Sequence, residues 1–246
     1  MCERFAVNTD QYVETLTARS PSRVLVTVPH DGAGGEALFG PFVPVRRTGC
    51  NARDIGVWPI VRDMIVDEPA NVVRGLLPRC YVDYNRTACE AYEASQFAIS
   101  YAQYHGAIFA QARQMQQWFG TGELLVLDIH GFSNQPAYAP RSGYDIVLGT
   151  GNCSTILHGE PDRELAEHLR ACGYEVFLPE AETQNPRSGQ IDYLNGGFTV
   201  RQVAGEFKIS AIQIEIARRF RGRAAAAVGT KLSTDLAAFL RNYNRR

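Results

Sequence analysis

Three runs of almost uninterrupted apolar residues constrain the fold of this chain more than any other feature. They are SRVLVTV at 22–28, ELLVLDIHGF at 123–132 and ISAIQIEIARRF at 209–220. Short runs of this kind, rich in β-branched residues, are typical of strands buried on both faces of a sheet. Both faces of such a sheet must be covered by helices, so the runs predict an α/β protein.

Helical patterns and further strands fill the rest of the chain. Helical stretches are found at 53–65, 88–120, 161–173 and 231–243. Pro59 is a poor fit inside the first of them. Strands, or a hairpin in the case of the first two, are predicted for NVVRGLL, CYVDYNR, YDIVLGTG and YEVFLP. The order predicts one domain over residues 1–246, with a mixed, mostly parallel sheet and helices on both faces.

Composition limits the class of protein. Hydrophobic residues make up 45% of the 246 residues, and the net charge is −1 without a long run of one sign. This balance predicts a packed core and gives no sign of a nucleic-acid or membrane-surface partner. No stretch approaches 18 apolar residues, no signal-peptide pattern begins the chain, and the six cysteines lack CxxC spacing. We therefore expect a cytoplasmic protein with reduced thiols. The sequence does not indicate its oligomeric state.

Polar residues end the apolar runs, where a purely structural strand would not need them. His30 follows the first run, and Asp128 and His130 share one face of the second because residues two apart on a strand point the same way. Gln213 and Glu215 share a face of the third in the same manner. In open α/β sheets, ligands bind at the carboxyl ends of the strands.

The same rule, applied to YVDYNR as a strand, places Asp83 and Asn85 on one face and Tyr84 and Arg86 on the other. An acid inside IQIEI is costly to bury unless it is paired, hydrated or facing a cleft, so Glu215 is a candidate base.

Two histidines and a carboxylate form a common zinc site, in which an open fourth position activates water. A nearby carboxylate can then accept the proton of that water. From spacing alone, however, histidines at strand ends are often merely structural. The residues by themselves leave both interpretations open.

Seven motifs give a more specific indication. In chain order they are VPHDG, RDIG, RCYVDYNR, LDIHGF, DIVLGT, NGGFTVRQ and AIQIEI. The series resembles the N-formylglutamate amidohydrolase family, which is similar to the zinc carboxypeptidase and aspartoacylase group, and it covers roughly residues 24–220. The resemblance implies a phosphorylase/hydrolase-like, zinc-carboxypeptidase-like α/β domain with one Zn²⁺ per chain.

The resemblance also implies the metal ligands. His30 and His130 are two of them, and the third is an acid soon after the first histidine. Asp54 of RDIG is preferred, and Glu36 is the rival within the Gly- and Pro-rich stretch 32–49, which predicts a long, functional loop. Without the resemblance, Asp54 would be interpreted as a helix N-cap.

Catalytic roles follow from the same resemblance. Glu215 matches the general base, although as a strand-end carboxylate it could instead pair with Arg218 or Arg219. Arg79 resembles the arginine that polarises the scissile carbonyl. Asp128 is expected to orient His130 or another group that contacts the metal.

Substrate contacts are implied for three further residues. Asn85 and Arg86 match a pair that holds a substrate carboxylate, a task suited to the planar fork of arginine. Arg201 adds a second anion contact or is a surface arginine. Asp83 is expected to orient Arg79 or Arg86.

Two more features complete the prediction. His105 fits a hydrogen-bonded helix histidine better than a ligand. Asp31 and Gln202 depart from the serine and histidine that the family commonly has, which bears on the pocket more than on the metal.

The sequence thus predicts a zinc amidohydrolase acting on a small N-acyl amino acid, such as an N-formyl one, or another carboxylate-bearing amide. A carboxypeptidase-like or ester hydrolase of the same fold is the alternative. A non-catalytic zinc-binding protein is a third, against which Glu215 counts because a binder has little need for a base beside the metal.

Overall fold

The computed structural model describes residues 4–9, 12–34, 46–47, 49–134, 139–179, 194–222 and 226–246. Its strands are Phe5–Thr9 (β1), Val13–Ala18 (β2), Val24–Val28 (β3), Asn71–Gly75 (β4), Leu125–Phe132 (β5), Ile146–Gly149 (β6), Val176–Phe177 (β7) and Ser210–Ala217 (β8). They form one eight-stranded sheet in the order β1-β2-β4-β3-β5-β8-β6-β7.

The centre of the sheet is parallel. β4, β3, β5 and β8 run in the same direction, whereas β1 and β2 form an antiparallel hairpin that pairs with β4. β6 is antiparallel to β8 and parallel to β7. This confirms the predicted mixed sheet, in which the carboxyl ends of β3, β5 and β8 lie side by side.

The helices lie on both faces, as predicted. They are Val57–Asp67 (α1), Ala88–Ala91 (α2), Ala98–Phe119 (α3), Pro161–Ala171 (α4), Phe198–Phe207 (α5) and Ala226–Asn244 (α6). Alternate residues of the central strands enter two separate apolar cores, for example Val24 and Val26 in one and Leu25 in the other. The first core includes α1, α4 and α6, and the second includes α3 and α5.

Several local predictions were wrong. Residues 80–86 do not form a strand, because the amides of Tyr81 and Val82 donate to the carbonyl of Pro78 and that of Asp83 donates to Ala91, so no ladder can form. The β1–β2 hairpin and α5 were not predicted. The 88–120 pattern is not one continuous helix. Its long helix is Ala98–Phe119, and Ala88–Ala91 forms a separate short helix.

Pro59 is compatible with a helix after all. α1 begins at Val57, so Pro59 lies in its first turn, where an amide has no intrahelical acceptor to lose. Among the described residues, none of the helices is both long and apolar enough to cross a bilayer.

Candidate metal and catalytic site

The parallel strands bring the predicted chemical groups together. His30 follows β3 by two residues, His130 lies near the end of β5, and Glu215 lies near the end of β8. His130 and Glu215 are Cα partners in the β5–β8 register. All three side chains are buried, with 1–4% of each residue exposed. The sheet itself therefore assembles the centre of the site.

Asp54 completes a cluster with the two histidines. Its Oδ2 lies 3.4 Å from Nδ1 of His30 and 3.3 Å from Nδ1 of His130. The candidate ligand atoms of the three residues lie within 4.8 Å of one another. The backbone holds Asp54 in place, since its amide donates to the carbonyl of His30 at 3.0 Å. Burial by itself would raise the pKa of Asp54, but the positive charge of His130 and His30, when these rings are protonated, holds it well below its usual range.

A carboxylate supports each histidine from behind. Nε2 of His30 lies 2.7 Å from Oδ1 of Asp83, and Nε2 of His130 lies 2.8 Å from Oδ2 of Asp128. The Thr27 hydroxyl donates to the other oxygen of Asp128 at 2.6 Å. Because Nε2 of each ring faces an acceptor, the ring proton belongs there, and the lone pair of each Nδ1 faces Asp54.

This arrangement fits a bound divalent cation. Nδ1 of His30 is buried and has no hydrogen-bond partner among the residues that the structure describes, which is costly for a polar atom unless something else binds it. Two imidazole nitrogens and one carboxylate oxygen are a donor set that suits zinc and leaves a fourth position open.

Asp83 is a charge centre as well as a histidine support. Its Oδ2 accepts from Nε of Arg79 at 3.0 Å and from Nη1 of Arg46 at 3.3 Å, and Nε of Arg86 lies 3.7 Å away. Burial favours a high pKa for Asp83, but the charges of His30, Arg79 and Arg46 outweigh it and lower the pKa. The expected contact with Arg79 is present, whereas the contact with His30 was not predicted.

Arg46 was missed at the sequence level. It is 3% exposed, and its Nη1 also contacts the carbonyl of Arg79 at 3.2 Å. Its only sequence signal is its position in the Gly- and Pro-rich stretch, which predicted a functional loop without indicating a residue.

Arg79 lies beside the cluster and is charged there. Its side chain is 16% exposed. Burial lowers the pKa of Arg79, but the Asp83 and Asp54 carboxylates more than offset this, so the pKa is raised.

Glu215 has one oxygen held and one free. Oε1 accepts from Nε2 of Gln213 at 2.7 Å, whereas the buried Oε2 has no hydrogen-bond partner in the described part of the chain. Burial raises the pKa of Glu215, and the charge of His130 only partly opposes this. Arg219, one of the alternative partners, instead binds Asp145 at 2.6 Å. Gln213, which sequence analysis placed on the same face without a role, is thus the direct neighbour of the candidate base.

The protein itself binds both polar atoms of the Asn85 amide. Oδ1 accepts from the amide of Thr199 at 2.8 Å, at the start of α5, and Nδ2 donates to Oε1 of Gln213 at 3.5 Å. A Cβ on Gly197 would lie 2.2 Å from Nδ2 of Asn85, so glycine is required for this approach.

The remaining predicted residues lie around the cluster. The side chain of Arg86 is 45% exposed beside Asp83. Arg201 is exposed on α5, with its Nε near Gly151. Nε2 of His105 donates to the carbonyl of Tyr84 at 3.0 Å, as expected of a helix histidine.

Of the two candidates for the third metal ligand, the structure describes Asp54 alone. Glu36 lies outside the described residues. The N-cap interpretation of Asp54 is wrong, because α1 is preceded by Gly56 with φ 90° and has no side-chain cap from its own N-cap residue. Asp31 serves α1 instead, with Oδ2 accepting from the amide of Trp58 at 2.7 Å.

Solved structures share this fold. The N-formylglutamate amidohydrolase from Ralstonia eutropha JMP134 superposes with a TM-score of 0.72 at 18% identity, over 96% of this chain and 99% of that one. A gene product from Agrobacterium tumefaciens gives 0.67 at 16% identity, over 95% and 96%. Neither a protein-family model nor a curated protein matches the sequence. The likeness shows that this chain has the N-formylglutamate amidohydrolase fold, as its motifs implied.

Proposed function

We propose that this protein is a zinc-dependent amidohydrolase that cleaves the amide bond of a small N-acyl amino acid or a related carboxylate-bearing amide. One observation carries the proposal. The buried His30–Asp54–His130 cluster lies beside Glu215, whose Oε2 has no hydrogen-bond partner among the described residues. A metal-ligand set next to an unpartnered carboxylate is the arrangement that hydrolysis by activated water requires.

Zinc, when bound, would supply Lewis-acid polarisation of the carbonyl and activation of water. Glu215 would accept the proton of the attacking water at Oε2 and pass it to the leaving nitrogen. Its raised pKa suits this, because a base must release the proton as readily as it takes it. Gln213 would keep Oε1 turned away from the reacting atoms by donating to it at 2.7 Å.

The arginines give the site its preference for an anion. Arg79 would stabilise the negative charge that develops on the carbonyl oxygen. Arg86, half exposed beside Asp83, would bind a substrate carboxylate, and Arg201 would add a second contact. Arg46 and Arg79 share one carboxylate partner, so positive charge exceeds negative charge around Asp83. Asn85 would donate to the substrate through the second N–H of its amide, because its oxygen is held by Thr199 and its first N–H by Gln213.

The acyl group is proposed by analogy. The Ralstonia eutropha neighbour is named for N-formylglutamate, which makes N-formyl and other short N-acyl derivatives of acidic amino acids the first compounds to assay. Within the part of the chain that the structure describes, Cys50, Cys89, Cys153 and Cys172 form no disulfide, which supports the reducing cytoplasm as the proposed location.

The test combines metal analysis with a substrate panel. We expect about one zinc per chain, the number that one such site holds, in wild type purified without an affinity tag. His130→Ala should lose it. His168→Ala is the matched control, because His168 on α4 donates to the carbonyl of Asp235 on α6 rather than to the cluster.

The panel should contain N-formyl, N-acetyl and N-succinyl amino acids, a dipeptide and an ester with the same carboxylate. Cleavage of the dipeptide or the ester alone would favour the carboxypeptidase-like or esterase alternative. Absence of metal from wild type, even after zinc is added back, would contradict the proposal.

A further inference from the structure

Arg221 joins three separate segments of the chain through one guanidinium group. It follows β8 after a short 3₁₀ turn, Arg218–Phe220. Its Nε donates to the carbonyl of Ile216 at 3.1 Å, its Nη1 to that of Ile55 at 3.0 Å and its Nη2 to that of Phe132 at 3.0 Å. Three good hydrogen bonds from one side chain to three backbone acceptors fix its plane and hold the acceptors together.

Each of these carbonyls lies next to a residue of the candidate site. Ile55 follows Asp54 directly, Ile216 follows Glu215 directly, and Phe132 is two residues after His130. Arg221 therefore contacts the backbone beside two candidate metal ligands and beside the candidate base, without being one of them.

The glycines around Arg221 are an independent sign that the chain makes room for it. A Cβ on Gly131 would lie 2.3 Å from Cζ and 2.5 Å from Nε and Nη1 of Arg221. A Cβ on Gly56 would lie 3.0 Å from Cβ of Arg221 and 2.4 Å from the amide nitrogen of Gly222. Gly131 and Gly56 adjoin His130 and Ile55, so the close approach occurs at the segments that the guanidinium joins.

We propose that Arg221 is a positioning residue that sets the distances among Asp54, His130 and Glu215, and through them the zinc affinity of the site and the alignment of the base. This inference rests on the proposed function. Asp54 depends on it most, because Asp54 lies on a loop before α1 rather than in the sheet that already aligns His130 with Glu215.

The test measures zinc affinity by chelator competition in wild type, Arg221→Ala, Arg221→Lys and Arg219→Ala. Loss of groups that orient metal ligands typically weakens metal binding about tenfold to a hundredfold, and we expect this for Arg221→Ala. Arg221→Lys keeps the charge but not the three-pronged fork, so it should also be weakened. Arg219→Ala is the matched control, since Arg219 lies in the same turn but binds Asp145.

Two further measurements separate positioning from general stabilisation. A merely structural arginine would lower the melting temperature and leave the zinc affinity of the folded protein unchanged. Added guanidinium ion at low millimolar concentration should restore zinc affinity to Arg221→Ala, because it can occupy the vacated position. In steady-state kinetics, kcat should fall more than KM rises.

The inference is overturned if folded Arg221→Ala binds zinc as tightly as wild type. It is equally overturned if the control Arg219→Ala loses as much zinc affinity as Arg221→Ala. It is also overturned if Arg221→Ala and Arg221→Lys both fail to fold, since the arginine then serves stability alone. Absence of zinc binding in wild type would overturn this inference together with the proposed function. If wild type binds zinc but cleaves nothing in the panel, only the hydrolase proposal fails, and the affinities still decide the role of Arg221.

Discussion

His130 and Glu215 lie directly opposite each other in the parallel pairing of β5 with β8. Two residues earlier in each strand, Asp128 and Gln213 are paired in the same way. Because side chains two apart on a strand share a face, the histidine and its supporting carboxylate lie beside the glutamate and its supporting amide. The strand register thus places a candidate metal ligand next to a candidate base. It also places Asp128, which supports the histidine, next to Gln213, which supports the base.

Replacing Glu215 by Gln should abolish most of the activity and leave the metal in place. Gln keeps the size of the side chain but cannot accept the proton at Oε2. General acid–base groups contribute about a hundredfold to ten-thousandfold to rate, and kcat should fall by that factor. The measurement is kcat on the best panel substrate together with zinc content. Glu206→Gln, an exposed position on α5, is the control. Full activity in Glu215→Gln would remove the base from the mechanism.

Replacing Gln213 by Leu should lower kcat without removing zinc. The change leaves Oε1 of Glu215 and the amide of Gly197 without their partner. Each buried group left unpaired costs about 1–3 kcal/mol, so the free energy of unfolding should also fall. Gln111→Leu is the matched control, because buried Gln111 donates to the hydroxyl of Thr17 at 2.7 Å, away from the site. If both variants keep wild-type kcat, Gln213 does not align the base.

Asp83→Asn should be more damaging than Asp128→Asn, although both carboxylates support a histidine. An amide at position 83 would turn an N–H toward Arg79 and Arg46 and leave these guanidinium groups without their shared acceptor. Breaking a buried ion pair from one side costs about 3–5 kcal/mol. At position 128 the second oxygen accepts from the Thr27 hydroxyl, which can rotate to accept instead.

The comparison calls for urea unfolding and zinc affinity on both variants. Both should bind zinc more weakly than wild type, by about tenfold or more, because each loses support for a histidine ligand. Equal losses of unfolding free energy would show that the arginines around Asp83 find other acceptors.

The sequence was sufficient for the centre of the sheet and for the residues that strands position. Apolar β-branched runs have one stable environment, and the alternation of side chains then fixes which polar residues share a face. Asp128 with His130, and Gln213 with Glu215, follow from that rule alone. The hairpin β1–β2 was missed because FAVNT and VETLTA carry polar, half-exposed residues that suit an edge and give no continuous apolar signal.

Contacts that depend on irregular backbone could not be predicted. The contact of Asp83 with His30 requires the turn at 80–86, which the alternating pattern of YVDYNR disguised as a strand. Arg221 binds carbonyls from segments up to 166 residues away in sequence, and a backbone acceptor has no residue type to recognise. Arg46 was invisible for a related reason, since a loop arginine acquires its role only from the fold around it.

The last prediction concerns pH and is independent of the metal ligands. His105 is buried, and burial lowers its pKa to about 4, although its hydrogen bond to the carbonyl of Tyr84 and the charge of Asp128 oppose this. In the unfolded chain its pKa is about 6.5. Between these values the unfolded state binds more protons, so the stabilising contribution is complete above pH ~6.5 and is lost as pH falls toward about 4.

His105→Gln should remove this dependence, because a Gln amide can still donate to Tyr84 but does not titrate near neutral pH. The measurement is urea unfolding of wild type and variant, both freed of metal by a chelator, at about pH 7 and about pH 5. Wild type should lose about 2 kcal/mol more than the variant over that interval, the size that linkage gives for this pKa difference. All other titrating groups are shared and cancel in the comparison. Parallel losses in the two proteins would mean that His105 is not held neutral in the folded state.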